Sequence, residues 1–294
     1  DPLFILGSAG LESVLGIRLP FYFPAFGVAG AAIATVIGQW VAALLAVIFN
    51  IKCNPDVKFA LRYLRPSGDI VKKILAVGVP SIIMMAIGSV MNFCMNQIFL
   101  SFRSVHGQTP ANVFGIYFKV QSIFLMPLFG INNASASIIA YNYGARLPER
   151  IRKTIRCGLG AALVIMLIGF SVFQLWPDKM MGIFGSSGDE NSAALISMGV
   201  SAMKIVSLHF PLAAIGIALG ASFQGLGNGI YSSVTSLTRQ LIVLVPAAYL
   251  LSLTGNVDAV WWSFPIAEVV SALLSVFFYL RIYRQRVKPL YDNP

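Results

Sequence analysis

Charge is what this 294-residue chain has least of: Lys, Arg, Asp and Glu make up 11% of it, against roughly a quarter in soluble domains. A soluble fold of this length needs far more polar surface. Hydrophobic residues reach 57% and mean hydropathy is +0.79, so most of the solvent is lipid. Only two histidines are present, which leaves little metal-binding capacity. The three cysteines, Cys53, Cys94 and Cys157, are odd in number and show no CxxC spacing, so neither a disulfide framework nor a zinc site is indicated. GxSxG, Walker A and HExxH motifs are all missing. The chain therefore reads as no enzyme and no ATP-driven pump, and it calls for no cofactor beyond a coupling ion. No signal peptide is visible. The opening Asp1-Pro2-Leu3-Phe4, without an initiator Met, reads as a cut partway through a larger protein.

What charge there is lies unevenly. The net charge is +10, and fifteen of the 21 basic residues fall at alternate junctions between apolar stretches. Lys52, Lys58, Arg62, Arg65, Lys72 and Lys73 form one group. Arg146, Arg150, Arg152, Lys153 and Arg156 form the next, and Arg281, Arg284, Arg286 and Lys288 the last. This is the positive-inside pattern of a multi-pass protein of the cell inner (plasma) membrane with a cytoplasmic C-terminus. The clusters orient the chain and touch membrane lipid; nucleic acid is not the expected partner.

Seven stretches are long enough to span a bilayer core, which takes about 20 apolar residues. They are Gly27–Phe49, Ile74–Leu100, Ala111–Tyr141, Ile155–Trp176, Ala194–Phe223, Ile230–Leu251 and Val257–Leu280. An all-α integral membrane fold follows. Ile70–Leu75 reads as an interfacial amphipathic turn, and Pro177–Asn191 as an exposed external loop. Prolines 80, 127, 211, 246 and 265 favour bent helices. Val41–Phe49 matches Val270–Phe278 at six of nine positions. A parallel repeat of this kind makes the first span the end of one six-helix unit and spans two to seven the next.

Polar residues at membrane depth recur at helical spacing on four spans. The second carries Ser81, Met85, Gly88, Asn92 and Asn96. The third carries Lys119, Ser122, Met126, Gly130, Asn133 and Ser137. The fifth carries His209, Ala213, Gly216, Gly220 and Gln224, and the seventh Trp261, Pro265, Glu268, Ala272, Ser275 and Tyr279. One shared cavity would account for all four faces. The substrate-cavity candidates are Asn92, Asn96, Lys119, Ser122, Met126, Asn133 and Gln224. Helix packing is the competing reading, above all for the Gly216/Gly220 pair. Apart from Asp258 at the very edge of the seventh stretch, Glu268 is the lone acid within any span. Its proton is held or released according to its neighbours, which makes it the ion-coupling candidate; a static pair with a lysine is the alternative. Arg239, ten residues past a junction, reads as snorkelling. Met84, Met85, Met91 and Met95 read as lipid-facing filler.

Several segments resemble the multidrug and toxic compound extrusion (MATE) transporters. They are Gly27-Val28-Ala29-Gly30-Ala31-Ala32, Gly78-Val79-Pro80, Pro127 with Gly130, Tyr141-Asn142-Tyr143-Gly144-Ala145, and Gln224-Gly225-Leu226-Gly227-Asn228 with Arg239. The resemblance implies a twelve-helix protein of two lobes, exporting drugs or other small organic compounds in exchange for H⁺ or Na⁺. Residues 1–49 would end the N-terminal lobe, with its fifth-helix tail and sixth helix. Residues 50–73 would be a cytoplasmic linker, 74–283 the six-helix C-terminal lobe and 284–294 a tail. The rest of the N-terminal lobe would be the missing partner. The acids that the sodium-coupled branch carries on its seventh and tenth helices have no counterpart here. A lipid-linked oligosaccharide flippase of the same architecture and a seven-helix receptor are the rival readings.

Overall fold

The computed structural model describes Phe4, Gly7 and residues 24–53, 67–184 and 190–292. Most of the expected linker, Gly185 and Gly188 of the expected loop, and the side chains of Cys53, Pro80, Ser81, Met84 and Met85 lie outside the described residues. Every regular element among those described is helical.

The chain divides into two compact units, residues 1–73 and 74–294. The first contains α1 (Gly27–Cys53), whose apolar side chains, Trp40, Leu44 and Phe49 among them, are exposed. Gly30 lets the chain close on itself there, because a Cβ at that position would overlap the Phe4 carbonyl.

Next come α2 (Gly68–Leu100), α3 (Arg103–His106), α4 (Thr109–Gly144), α5 (Pro148–Leu175) and α6 (Pro177–Gly182). They are followed by α7 (Glu190–Ser207), α8 (Phe210–Gly225) and α9 (Gly229–Leu237), the last continuing through a π-helical stretch, Thr238–Leu244, into α10 (Val245–Ser252). The chain ends with α11 (Val257–Trp261), α12 (Ser263–Ile282), a second π-helical stretch, Tyr283–Val287, and α13 (Pro289–Asp292). Among the described residues five helical stretches are long and apolar enough to cross a membrane, and α7 with α8 makes a sixth across a 49° bend.

Two sequence expectations change. Ile70–Leu75 is the opening of α2, not a separate interfacial turn. The external loop begins as α6, whose Pro177 and Met181 are buried. Met181 packs so closely on α7 that a Cβ at Gly199 would collide with its thioether.

The bend in the fifth span has a local cause. Pro211 has no N–H to give and disrupts the helix one turn back. The backbone there tightens to Leu208 N–H on the Ile205 carbonyl and His209 N–H on the Val206 carbonyl, which frees the Lys204 carbonyl. Gln174 of α5 donates to that oxygen (2.8 Å), and the Ser207 hydroxyl does so as well (3.2 Å). A broken helix is tolerated at membrane depth when neighbours satisfy its carbonyls in this way.

α4, α5 and α8 pack most extensively on one another, and α12 packs against α8 and the first π-helical stretch. One apolar core, centred on Phe99, Phe114, Tyr117, Phe173, Phe210 and Trp261, fills one end of the unit. A second, with Ile139, Ile151, Phe223, Leu226, Ile282 and Val287, fills the other. Met91 and Met95 belong to the first core rather than facing lipid. Val287 in the second core ties down residues read as a free tail. At that end Arg286 donates to the Tyr143 hydroxyl (3.3 Å), so the basic groups at 146–156 and 281–288 gather on one side.

Two motifs there are helix stops. Asn228 N–H bonds the Phe223 carbonyl (2.8 Å) and Gly227 N–H the Gln224 carbonyl (3.1 Å), around Gly227 at φ 76°. That is a Schellman cap. The end of α4 repeats it, with Leu147 N–H on the Asn142 carbonyl and Arg146 N–H on that of Tyr143. Here a non-glycine, Arg146 at φ 55°, takes the left-handed position.

The closest helix approach is at Gly225, one step before that cap, rather than within the Gly216/Gly220 pair. A Cβ on Gly225 would lie 2.7 Å from the Ala136 carbonyl oxygen and 2.8 Å from Ile139, whereas one on Gly220 meets nothing nearer than 3.8 Å. Gly225→Ala is therefore expected to lower stability by about 1–3 kcal/mol, the usual cost of overpacking, and Gly220→Ala to change it little. Thermal unfolding of the two variants in detergent checks this; equal midpoints would refute the close approach.

Candidate functional site

The four polar stripes do not converge on one cavity. They sort into two pairs. Those on α2 and α4 lie on open faces: Asn92, Asn96, Lys119, Met126 and Asn133 are exposed, and Ser122 is half-buried. Asn92 donates to its own helix at Gly88 (3.0 Å) and Ser122 to Lys119 (2.6 Å). Asn92 and Asn96 border an open groove of about 500 Å³, which Asn112 and Gly115, two turns and one turn before Lys119, continue along α4. Of the substrate-cavity candidates, the two on α2 line this groove and those on α4 do not.

The stripes on α8 and α12 face each other and are largely buried. His209 and Ala213 on one side, and Trp261, Glu268, Ala272 and Ser275 on the other, are covered. A Cβ at Gly216 would stand 3.6 Å from Glu268 Oε1 and 3.8 Å from the Ser271 and Ser275 hydroxyls. Small residues on α8 make room for polar ones on α12.

Glu268 is 5% exposed, and a carboxylate there requires a partner. That partner is Arg239, not a lysine: Nη1 lies 3.5 Å from Oε1, with the arginine side chain 27% exposed. Lys119 and Lys204 are exposed. Arg239 does not snorkel. It sits in the π-helical stretch that precedes Pro246, and wide turns of this type are frequent at functional sites.

The same unit also holds a buried polar group around His209. The His209 Nδ1 rests on the Val206 carbonyl, an acceptor, so that nitrogen carries the proton. Its Nε2 then accepts from Gln121 Nε2 (3.2 Å). The Tyr117 ring is buried there, and the Trp261 indole nitrogen is buried with no hydrogen-bond partner among the described residues.

Arg239 also forms one wall of a 100 Å³ pocket shared with Gln224, Ser232, Thr235, Ser236 and Ser271. Gln224 is thus the one substrate-cavity candidate placed beside the ion pair, on the exposed rim. Arg239 was legible in principle. A span with an unpaired arginine and another with a lone acid each demand compensation, and each is the other's simplest partner. Ser236 and Gln121 gave no such signal. No group of His, Cys, Asp and Glu able to hold a metal ion occurs among the described residues, and Cys94 and Cys157 are free thiols.

These observations define an all-α, multi-pass membrane protein with a polar, ion-paired centre inside its helical unit. The chain belongs to the MatE family, whose model matches residues 80–250. The multidrug export protein MepA of Staphylococcus saprophyticus subsp. saprophyticus is 25% identical over 272 residues, covering 92% of this chain and 58% of that protein. A MATE structure in complex with MaL6 superposes with a TM-score of 0.78 at 25% identity, over 100% of this chain and 60% of that one. An outward-facing multidrug resistance MATE family transporter of the MOP superfamily does so at 0.77, again at 25% identity and over 100% and 60% of the two chains. The chain thus spans about three-fifths of the length of the relatives it matches. Membership of this family removes the seven-helix receptor reading.

Proposed function

We infer that this chain is the C-terminal part of a secondary active antiporter that exports drugs or other small organic compounds in exchange for H⁺ or Na⁺. Its C-terminus would lie in the cytoplasm, where the gathered basic groups meet anionic headgroups. The missing partner is an N-terminal lobe of the same protein. The carrying observation is the Arg239–Glu268 pair, whose carboxylate is buried and whose guanidinium walls a polar pocket. A buried pair is poorly repaid in stability, and an ionisable residue at membrane depth is a functional candidate by default. Substrate would lie along the open polar faces of α2 and α4, with Asn92, Asn96, Lys119, Ser122, Met126 and Asn133 as contacts and Gln224 at the inner rim. Occupancy of Glu268 by the coupling ion would bias inward- against outward-open packing, as any ligand with unequal affinity for two states must.

The test is transport by the full-length protein in proteoliposomes, with a fluorescent organic cation such as ethidium as probe. Imposed H⁺ and Na⁺ gradients are varied one at a time. Export driven by one gradient and abolished by its collapse supports the antiporter. Movement indifferent to both gradients overturns it.

A further inference from the structure

We propose that the pocket walled by Arg239 is a subsite for the anionic group of an organic ligand, a carboxylate above all, which competes with Glu268 for the guanidinium.

The first ground is the state of the ion pair. Arginine presents five N–H donors in a planar fork suited to two-point binding of a carboxylate. Here the fork meets Glu268 through one contact at 3.5 Å, the outer edge of hydrogen-bond distance. The guanidinium is therefore held near Glu268 but far from saturated by it, and it is 27% exposed while its partner is 6% exposed. A ligand can reach the arginine without first uncovering the glutamate.

The second ground is the wall. The Ser232 hydroxyl donates to the Gly220 carbonyl and that of Thr235 to the Tyr231 carbonyl, so their protons are committed. Ser236 and Ser271 supply the remaining hydroxyls of the pocket. Asn132 adds a buried amide whose Oδ1 has no hydrogen-bond partner. Turning that amide over places its N–H donors at the same point. An arginine, two hydroxyls and a reversible amide form a donor-rich lining, and donor-rich linings hold anions.

Size and apolar neighbours narrow the ligand class. The pocket measures about 100 Å³, room for about three water molecules at roughly 30 Å³ each, or for one carboxylate in their place. Phe129, Ile217 and Phe223 line the same space, which suits an apolar body joined to the anionic head. A metal cation is disfavoured by the arginine itself. Because Glu268 is the internal occupant, an incoming anion displaces it from the guanidinium. The subsite rests on the exporter reading only for its role in transport; its chemistry does not.

Equilibrium binding separates the two. The purified full-length protein in detergent, with no gradient present, is titrated with radiolabelled benzoate. Unlabelled benzoate, its neutral analogue benzamide and inorganic phosphate serve as competitors. The expected result is displacement by benzoate at concentrations at least tenfold below those needed with benzamide. Displacement by phosphate as effective as by benzoate keeps the anion site and assigns it to inorganic oxyanions. Glu268→Gln is expected to tighten benzoate binding several-fold, since the internal competitor is gone. Arg239→Gln is expected to abolish the benzoate preference and Arg239→Lys to restore part of it. Equal displacement by benzamide, or benzoate affinity within twofold of the parent in Glu268→Gln, overturns the proposal. The latter variant keeps the arginine, so the test stands if Arg239→Gln does not fold. Failure of transport with this binding intact would fall on the exporter reading alone.

Discussion

Glu268→Gln in the full-length protein is expected to leave expression and folding intact and to reduce gradient-driven export by about 5–150-fold, the span that loss of a 1–3 kcal/mol coupling produces. Glutamine keeps the shape and an acceptor for Arg239, and the arginine, 27% exposed, retains access to water. Nothing left behind is both charged and fully buried. Arg239→Leu should behave differently. It strands a carboxylate that is 5% exposed, and breaking a buried pair from that side costs about 3–5 kcal/mol. The asymmetry is the informative part. Yield and thermal midpoint should fall for Arg239→Leu and hold for Glu268→Gln, while proteoliposome export falls in both. Unimpaired export by Glu268→Gln would reduce the pair to a structural role.

The second large effect belongs to Trp261. Its ring is fully buried and stacks on Phe99 of α2 with centroids 4.2 Å apart, next to Phe264 at 6.4 Å. One side chain therefore joins α11, α12 and α2 through the larger core. Trp261→Ala is expected to cost about 3–5 kcal/mol, as such truncations do. Trp261→Phe should cost far less than its volume suggests. The indole N–H is buried without a partner, and deleting an unsatisfied donor returns about 1–3 kcal/mol of desolvation penalty. Denaturant titration in micelles distinguishes the three proteins; an alanine variant as stable as the parent would show that this ring is not a keystone of the core.

Much of the architecture was readable from spacing and charge. A bilayer sets the length of a crossing helix, and apolar runs of that length between basic junctions leave few alternatives. Membrane class needed nothing more; the family came from the resemblance of particular motifs. The breaks were partly readable: Pro211 predicted a bend, though not that Gln174, 37 positions earlier, satisfies the carbonyl it frees. The methionines were misjudged because a uniformly apolar helix looks alike on every side. Met91 and Met95 face the core while Phe93 is exposed, and hydrophobicity cannot separate a lipid-facing stripe from a buried one when both solvents are oil.

The candidate site shows the same division more sharply. Helical periodicity groups polar residues by face, since that depends only on 3.6 residues per turn. It carried no information on which face meets which. Glu268 was identifiable as a buried acid by its isolation alone; its pairing with Arg239, 29 positions away, depended on how α12 lies against the π-helical stretch. From sequence alone came the solvent, the helices and the isolation of Glu268, which follow from local composition and period, and the family, which the resemblance of particular motifs implied. The tertiary structure alone decided that two polar faces close on each other while two stay open, and that an arginine completes the centre, because those depend on contacts between segments distant in the chain.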